Sequence, residues 1–260
     1  TLVGVLGSIA VVITTMYLEG SHISSFIIVS AFVLIFGGSL CVSITCFGLA
    51  EGFFGIPKYF RYVFFPPKTD IPNLIVTFVS FSEKARREGL LALEDDVTEI
   101  DDPLTRKGLQ LVIDGADPET VRGILEEMSD KMNKHDKVPA EVFETLGGFS
   151  PTLGIIGTVM GLVHVLENLG GANIAALGEG IAVAFIATFY GIGFANLIWL
   201  PLSSKVKMIA GRQMEMREIT ISGVMAIQSG DNPSIVKDKL TCHISDPEVR
   251  ENIDEIVNKD

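Results

Sequence analysis

The chain has 260 residues, with 20 Lys and Arg against 32 Asp and Glu, a formal net charge of -12 and a mean hydropathy of +0.42. Positive hydropathy beside that much charge requires apolar and charged blocks to alternate, which excludes an evenly mixed globular enzyme and points to a polytopic membrane protein with a soluble part. The acidic balance excludes nucleic acid as a partner.

The first apolar block, roughly 1–18, carries no basic leader and no small-residue cleavage site, so it reads as a membrane helix rather than a signal peptide. A second block, 24–50, follows the link EGSHIS. Each is close to the ~20 apolar residues a spanning helix needs. Next comes FFGIPKYFRYVFFPPK, 53–68, where aromatic rings alternate with Lys58, Arg61 and Lys68. That mixture suits the membrane–water interface; a buried hairpin of the soluble part is the alternative.

Residues 71–148 show helical periodicity. IPNLIVTFVSFSEKARREGLLALEDD predicts one long helix, and a second begins near Pro103. Asp117-Pro118-Glu119 is a helix start, with Asp as N-cap, Pro at the first helical position and Glu in the first turn. Two more apolar blocks follow at 149–169 and 180–203, joined by a Gly/Ala-rich link. Beyond Pro201-Leu202, SSKVKMIAGRQMEMREITISGVMAI predicts an amphipathic helix, and the tail is polar. No strand pattern and no internal repeat is visible.

All 20 basic residues fall in 51–148 or after 203. The positive-inside rule therefore puts both large segments, and both ends of the chain, in the cytoplasm. The expected fold is all-α: four transmembrane helices and a helical cytoplasmic domain. The divisions are 1–50 (helices 1 and 2), 51–148 (interfacial segment and cytoplasmic domain), 149–203 (helices 3 and 4) and 204–260 (cytoplasmic helix and tail).

No chemistry of the usual enzymatic kinds is apparent. Cys41, Cys46 and Cys242 have no zinc or redox spacing, and His22, His135, His164 and His243 are scattered, so neither a metal site nor a cofactor is expected. No nucleophile–base pair or phosphate loop is present, which speaks against an enzyme.

The last two apolar blocks are unusual. In the third, Gly154, Thr158 and Gly161 share a helical face; in the fourth, Gly180, Ala184, Thr188, Gly191 and Ala195 make a small-residue stripe. Small residues let membrane helices approach closely, and a membrane Thr commonly bonds its own backbone a turn back. Two such faces, each with one hydroxyl, suit a groove for a partner helix or a narrow polar path. No Asp, Glu, Lys or Arg lies mid-span, although ion pathways normally place an ionisable group there. A carboxylate from another chain would supply it. His164 is the one titratable side chain deep in this block; it is either a proton relay or a satisfied imidazole. Pro151 reads as a helix start or a hinge, and Pro201 should kink the helix leaving the membrane.

These residues resemble a known family. SPTLGIIGTVMGLVHVLENL followed by IAVAFIATFYGIGFANLIWLPL is similar to the third and fourth helices of MotA-like flagellar stator subunits, of the MotA/TolQ/ExbB ion-channel superfamily. The order of two helices, a cytoplasmic insertion, two helices and a tail matches over almost the whole chain. TolQ and ExbB share the helix motif but typically have three spans; a TolQ/ExbB-like energiser of a periplasmic system is the alternative function. The resemblance implies an inner-membrane homopentamer around a MotB-like dimer, whose single spanning helices bring an essential Asp and whose outer domain grips peptidoglycan. It implies that protons or sodium ions flow through the complex and turn the rotor through FliG. It assigns Thr188 and Thr158 to the ion path, Pro151 and Pro201 to hinge and torque coupling, and Arg86 and Glu94 to rotor binding. Arg86, Leu90 and Glu94 lie four apart and so are expected to share one helical face; an ordinary solvated charge pattern with a Glu83–Arg87 pair is the alternative. Thr158 stands where many proton-type members have Ala, as in sodium-type members. Gly148 stands where some members carry a carboxylate.

Overall fold

The computed structural model describes residues 2–20, 23–167, 174–244 and 253. His22, residues 168–173 of the second link and most of the tail lie outside the described residues.

Every regular element among the described residues is helical. The apolar helix α1 is Leu2–Leu18. Short helices α2 (Val29–Phe32) and α3 (Gly38–Leu49) flank a π-helical turn, Val33–Gly37. A second π turn, Ala50–Phe54, leads to α4 (Gly55–Phe64). Then come α5 (Ile71–Glu88), a 3-10 turn (Leu90–Leu93), α6 (Glu94–Glu99), α7 (Pro103–Ile113) and the 50-residue α8 (Pro118–Glu167). The chain continues with α9 (Ile174–Phe194), a π turn (Ala195–Trp199), α10 (Leu200–Gln228) and α11 (Pro233–Thr241).

Three helical stretches are long and apolar enough to cross a membrane: Val29–Phe64, Pro118–Glu167 and Leu177–Gln228. α1 is apolar but has only 17 residues, a length of about 26 Å at 1.5 Å per residue.

The chain divides into two compact units. The first comprises residues 1–67 and 137–209, the second 68–136 and 210–260. The unit holding the apolar helices thus extends beyond residue 50 on one side and begins before residue 149 on the other.

In the first unit, the helix breaks at Gly48, whose φ of 76° is open to glycine and costly for other residues. The chain turns there, two residues before the expected boundary. The aromatic stretch beyond it folds as α4, not as a hairpin. Its inner face, with Tyr59 and Val63, is buried in a cluster with Phe143, Leu146, Trp199 and Leu202. Phe143 stacks on Trp199 at 6.1 Å, and Phe60 meets both edge-on. Such aromatic pairs add to the burial itself.

The second unit has a core of large aliphatic and aromatic side chains. Phe78, Leu93, Leu104, Leu109, Leu125, Ile219 and Leu240 are fully buried. Four of its helices, α5, α7, α8 and α11, start by one recipe, a polar cap with proline in the first turn. Asp70 accepts from the Asn73 N–H at 3.2 Å, Asp102 from Thr105 at 2.7 Å, Asp117 from Thr120 at 3.0 Å and Asn232 from Ser234 at 3.3 Å. The expected starts at Pro103 and Pro118 are therefore present. The long helix expected from residue 71 is not continuous. Gly89, at φ 89° and ψ 163°, ends α5, and the chain resumes only after a 3-10 turn. Helical periodicity on both sides of the glycine conceals the break. Lys84 and Asp96 pair across it at 2.6 Å.

Candidate hydroxyl site between two membrane helices

The third apolar block lies in the end of α8, and the fourth runs from within α9 through the π turn into α10. They are packed on each other through the small residues. A Cβ built on Gly154 would lie 3.0 Å from the Ala187 carbonyl oxygen and 3.3 Å from the Gly191 Cα. One on Gly191 would lie 2.6 Å from the Ser150 carbonyl oxygen, and one on Gly161 2.9 Å from the Ala184 Cβ. The expectation that these faces wait for a partner helix is corrected: within this chain each is the other's partner. Close backbone approach of this kind is the means by which helices associate in lipid.

At the centre of the contact the two hydroxyls meet. Thr158 Oγ1 and Thr188 Oγ1 are directly hydrogen-bonded. The Thr158 hydroxyl is also 3.0 Å from the Gly154 carbonyl oxygen, one turn back, and 3.0 Å from the Ala184 carbonyl oxygen of α9. One hydroxyl proton can serve one acceptor at a time, so four oxygens share fewer protons than they have lone pairs. The pair can pass hydrogen bonds between helices or offer oxygens to a hard cation. Both threonines are half-buried, so the cluster is reachable from the chain's surface.

Val165 and Ile186 are buried, but many other apolar side chains of these two helices face outward. Ile155, Val159, Leu162 and Leu166 on α8 and Phe185, Phe189 and Ile192 on α9 are exposed. His164 lies on this exposed side of α8. The spans carry no carboxylate or cation near the threonines; Glu167 and Glu179 flank them in sequence.

One of the two prolines sits differently from the helix start expected of it. Pro151 does not start a helix: α8 is unbroken from Pro118 to Glu167, with Pro139 and Pro151 inside it. A proline there removes the bond to the carbonyl four residues back, and the Ser150 hydroxyl bonds the neighbouring Leu146 carbonyl at 2.6 Å. Pro201 is in the first turn of α10, immediately after the π turn. A π turn re-spaces the backbone ladder just where the proline has no N–H to give. Ser203, close behind it, anchors this start by donating to the Ala140 carbonyl of α8 at 2.9 Å.

Arg86 and Glu94 do not share one helical face. Arg86 is in the last turn of α5, Glu94 begins α6, and the Gly89 break separates them. Both are exposed. Arg86 lines a cavity of about 150 Å³ with Ser82, Leu90, Ile227, Gln228 and Gly230. The Ser82 hydroxyl fixes one wall by donating to the Asp231 carbonyl at 3.0 Å.

Sequence comparison agrees with this architecture. Residues 96–219 match the model of the MotA/TolQ/ExbB proton channel family. Motility protein A of Bacillus subtilis is 31% identical over 94% of this chain and 90% of its own length. The chemotaxis protein PomA of Vibrio alginolyticus is 32% identical over 98% of each, and motility protein A of Borreliella burgdorferi is 41% identical over 71% of this chain and 70% of its own. The structure of the flagellar MotAB stator complex from Bacillus subtilis aligns with a TM-score of 0.87 at 30% identity, covering 96% of this chain and 98% of that one. A C. jejuni MotAB structure gives the same TM-score at 26% identity. The chain belongs to the MotA/TolQ/ExbB proton channel family, a family of ion channels rather than enzymes. The Bacillus subtilis motility protein A, PomA and the MotAB stator structures match along nearly the whole chain, and the function they support is that of a torque-generating stator subunit.

Proposed function

We propose that this chain forms the ion path of a flagellar stator together with a MotB-like subunit, and that ion flow there drives the rotor. The observation that carries the reading is the Thr158–Thr188 contact in a pair of spans that hold no ionisable side chain beside it. An ion crossing lipid needs a titratable or charged partner, and a MotB-like helix supplies the missing Asp. The structural relatives are MotAB complexes, which supports that partner.

In this reading four helices cross the inner membrane, α1 included, with both ends of the chain inside. Segments 51–148 and 204–260 lie on the cytoplasmic side. Several copies, five by family resemblance, encircle the MotB-like dimer. Pro151 and Pro201 are the hinge positions, and Arg86 and Glu94 contact a FliG-like rotor protein. Their separation across Gly89 makes them two contacts rather than one stripe. A unit charge crossing the membrane gains about 2.3 kcal/mol per 100 mV, enough to step a ring between packed states and too little to unfold one.

The proton is the ion we favour. One observation supports sodium as the second reading: four oxygens, two hydroxyl and two carbonyl, gather around Thr158.

Uptake by vesicles tests the proposal. The chain is reconstituted with and without a MotB-like partner lacking its periplasmic plug, in sodium and in sodium-free buffer. Uptake only with the partner, and reduced in Thr188→Ala, is expected; the buffer dependence names the ion. Uptake by this chain alone would sink the borrowed carboxylate.

A further inference from the structure

The outward face of α4 has no part in the ion path. Lys58 and Arg61 lie about one turn apart on it, both exposed. Phe54, a turn before, is 71% exposed, and Phe65, a turn after, is 78% exposed. Lys58 and Arg61 lie on one side of α4, and Phe54, at the end of the π turn, and Phe65, at the C-cap, extend that stripe by one residue beyond each end of the helix. The opposite face is closed by Tyr59 and Val63.

Charge sharpens the pattern. In a chain of net charge -12, Glu51 is the only carboxylate between residues 20 and 69. The Tyr59 hydroxyl, on the buried face, holds that carboxylate by a hydrogen bond. The two cations are therefore left without an opposing acid on their own face, and Lys68 follows just beyond the helix. Exposed phenylalanines bracketing a cationic pair, on a helix that continues an apolar span, have the composition of an interfacial anchor in anionic lipid.

We propose that the Phe54–Lys58–Arg61–Phe65 stripe of α4 binds the headgroups of anionic phospholipids. The cations meet the lipid phosphate, and the rings enter the acyl region beside it. Arg contributes a forked donor and Lys a point charge. This rests on the membrane placement proposed above, but not on which side of the membrane α4 faces.

The test uses the full chain in bilayers of equal composition in both leaflets, with spin-labelled phosphatidylglycerol or phosphatidylcholine as the probe. Because the leaflets are identical, an error in topology leaves the result unchanged, and the two readings fail separately. Phosphatidylglycerol should be enriched at the protein about fivefold or more and should lose that preference in Lys58→Gln/Arg61→Gln. The charge-keeping Lys58→Arg/Arg61→Lys variant should retain it, and added salt should weaken it in the unsubstituted chain. Equal association of the two lipids, or a preference that survives the double Gln variant, overturns the proposal. So does displacement of the labelled lipid by inorganic phosphate at constant ionic strength, which would mark a site for free phosphate. Helix content by circular dichroism confirms that the variants are folded.

Discussion

The two units of this chain solve the same packing problem with opposite materials. In the second unit, large side chains fill the space between helices: the Phe78 ring lies where a Cβ on Gly223 would sit, 2.6 Å from its nearest atom, and Leu104, Leu125 and Ile219 belong to the same buried cluster. Where α8 meets α9 in the first unit, almost nothing lies between the backbones but hydrogen and two hydroxyls. Burying apolar surface is rewarded where the alternative is water. In lipid it is not, so close backbone contact and an interhelical hydrogen bond replace it. The difference teaches that the first unit's helices are arranged for approach and for a polar seam, while the second unit's are arranged for bulk.

The comparison breaks most visibly if the bulk is removed. Phe78→Ala should destabilise the second unit by about 3–5 kcal/mol, since it empties a fully buried site. Chemical denaturation followed by fluorescence or circular dichroism measures it. The matching perturbation of the first unit adds bulk instead. Gly191→Ala should cost about 1–3 kcal/mol, because its new methyl meets the Ser150 carbonyl at 2.6 Å and backbone atoms at 3.1 and 3.2 Å rather than a movable side chain. Gly148→Ala is the control: a Cβ there meets nothing within 4 Å, so thermal stability in detergent should be kept or slightly raised by the better helix former. Equal effects of the two alanines would refute close approach as the principle of that contact.

The hydroxyl seam gives the next effect. Thr188→Ala removes one partner of the Thr158 contact, at a cost of about 0.5–1.5 kcal/mol, since the Thr158 hydroxyl keeps the Gly154 and Ala184 carbonyls as acceptors. If that cost falls on the conducting state, ion uptake through the complex drops about twofold to tenfold. Thr188→Ser keeps the oxygen and should keep most of the flux. Loss of flux in both variants would mean that the methyl, not the hydroxyl, matters.

Much of this contrast is legible in the amino-acid sequence. Block hydropathy locates the apolar helices, and the Asp-Pro pairs locate the starts of α7 and α8. Gly154, Thr158 and Gly161 on one helix and Ala184, Thr188 and Gly191 on the other stand out as small faces, but only the structure shows that they meet each other. What stays hidden depends on single residues whose effect is not periodic. Gly89 stops a helix in the middle of a helical pattern, and Pro151 fails to stop one, because tertiary neighbours decide whether the backbone continues. The π turns before α4 and α10 likewise leave no mark on periodicity. The separation of Arg86 from Glu94 follows from the Gly89 break and is invisible for the same reason.

The smallest effect concerns the caps on which the second unit's bulk is hung. Asp117 is exposed and holds the first turn of α8 by accepting from Thr120. Hydrogen bonds from the Thr120 side chain and backbone push its carboxyl below the ordinary carboxylate value. A group whose pKa is lower in the folded chain binds its proton more readily when unfolded. Its contribution is therefore complete above the unfolded pKa of about 4 and fades as pH falls through the lower folded value. Unfolding of the chain should accordingly become easier on acidification below about pH 4, and Asp117→Asn, which keeps an N-cap acceptor but not the charge, should flatten that part of the profile. Asp117→Ala should lower stability across the whole range, because it removes the acceptor as well. If the Asn variant kept the full acid dependence, the pH sensitivity would have to come from other carboxylates, and the cap would act through its geometry alone.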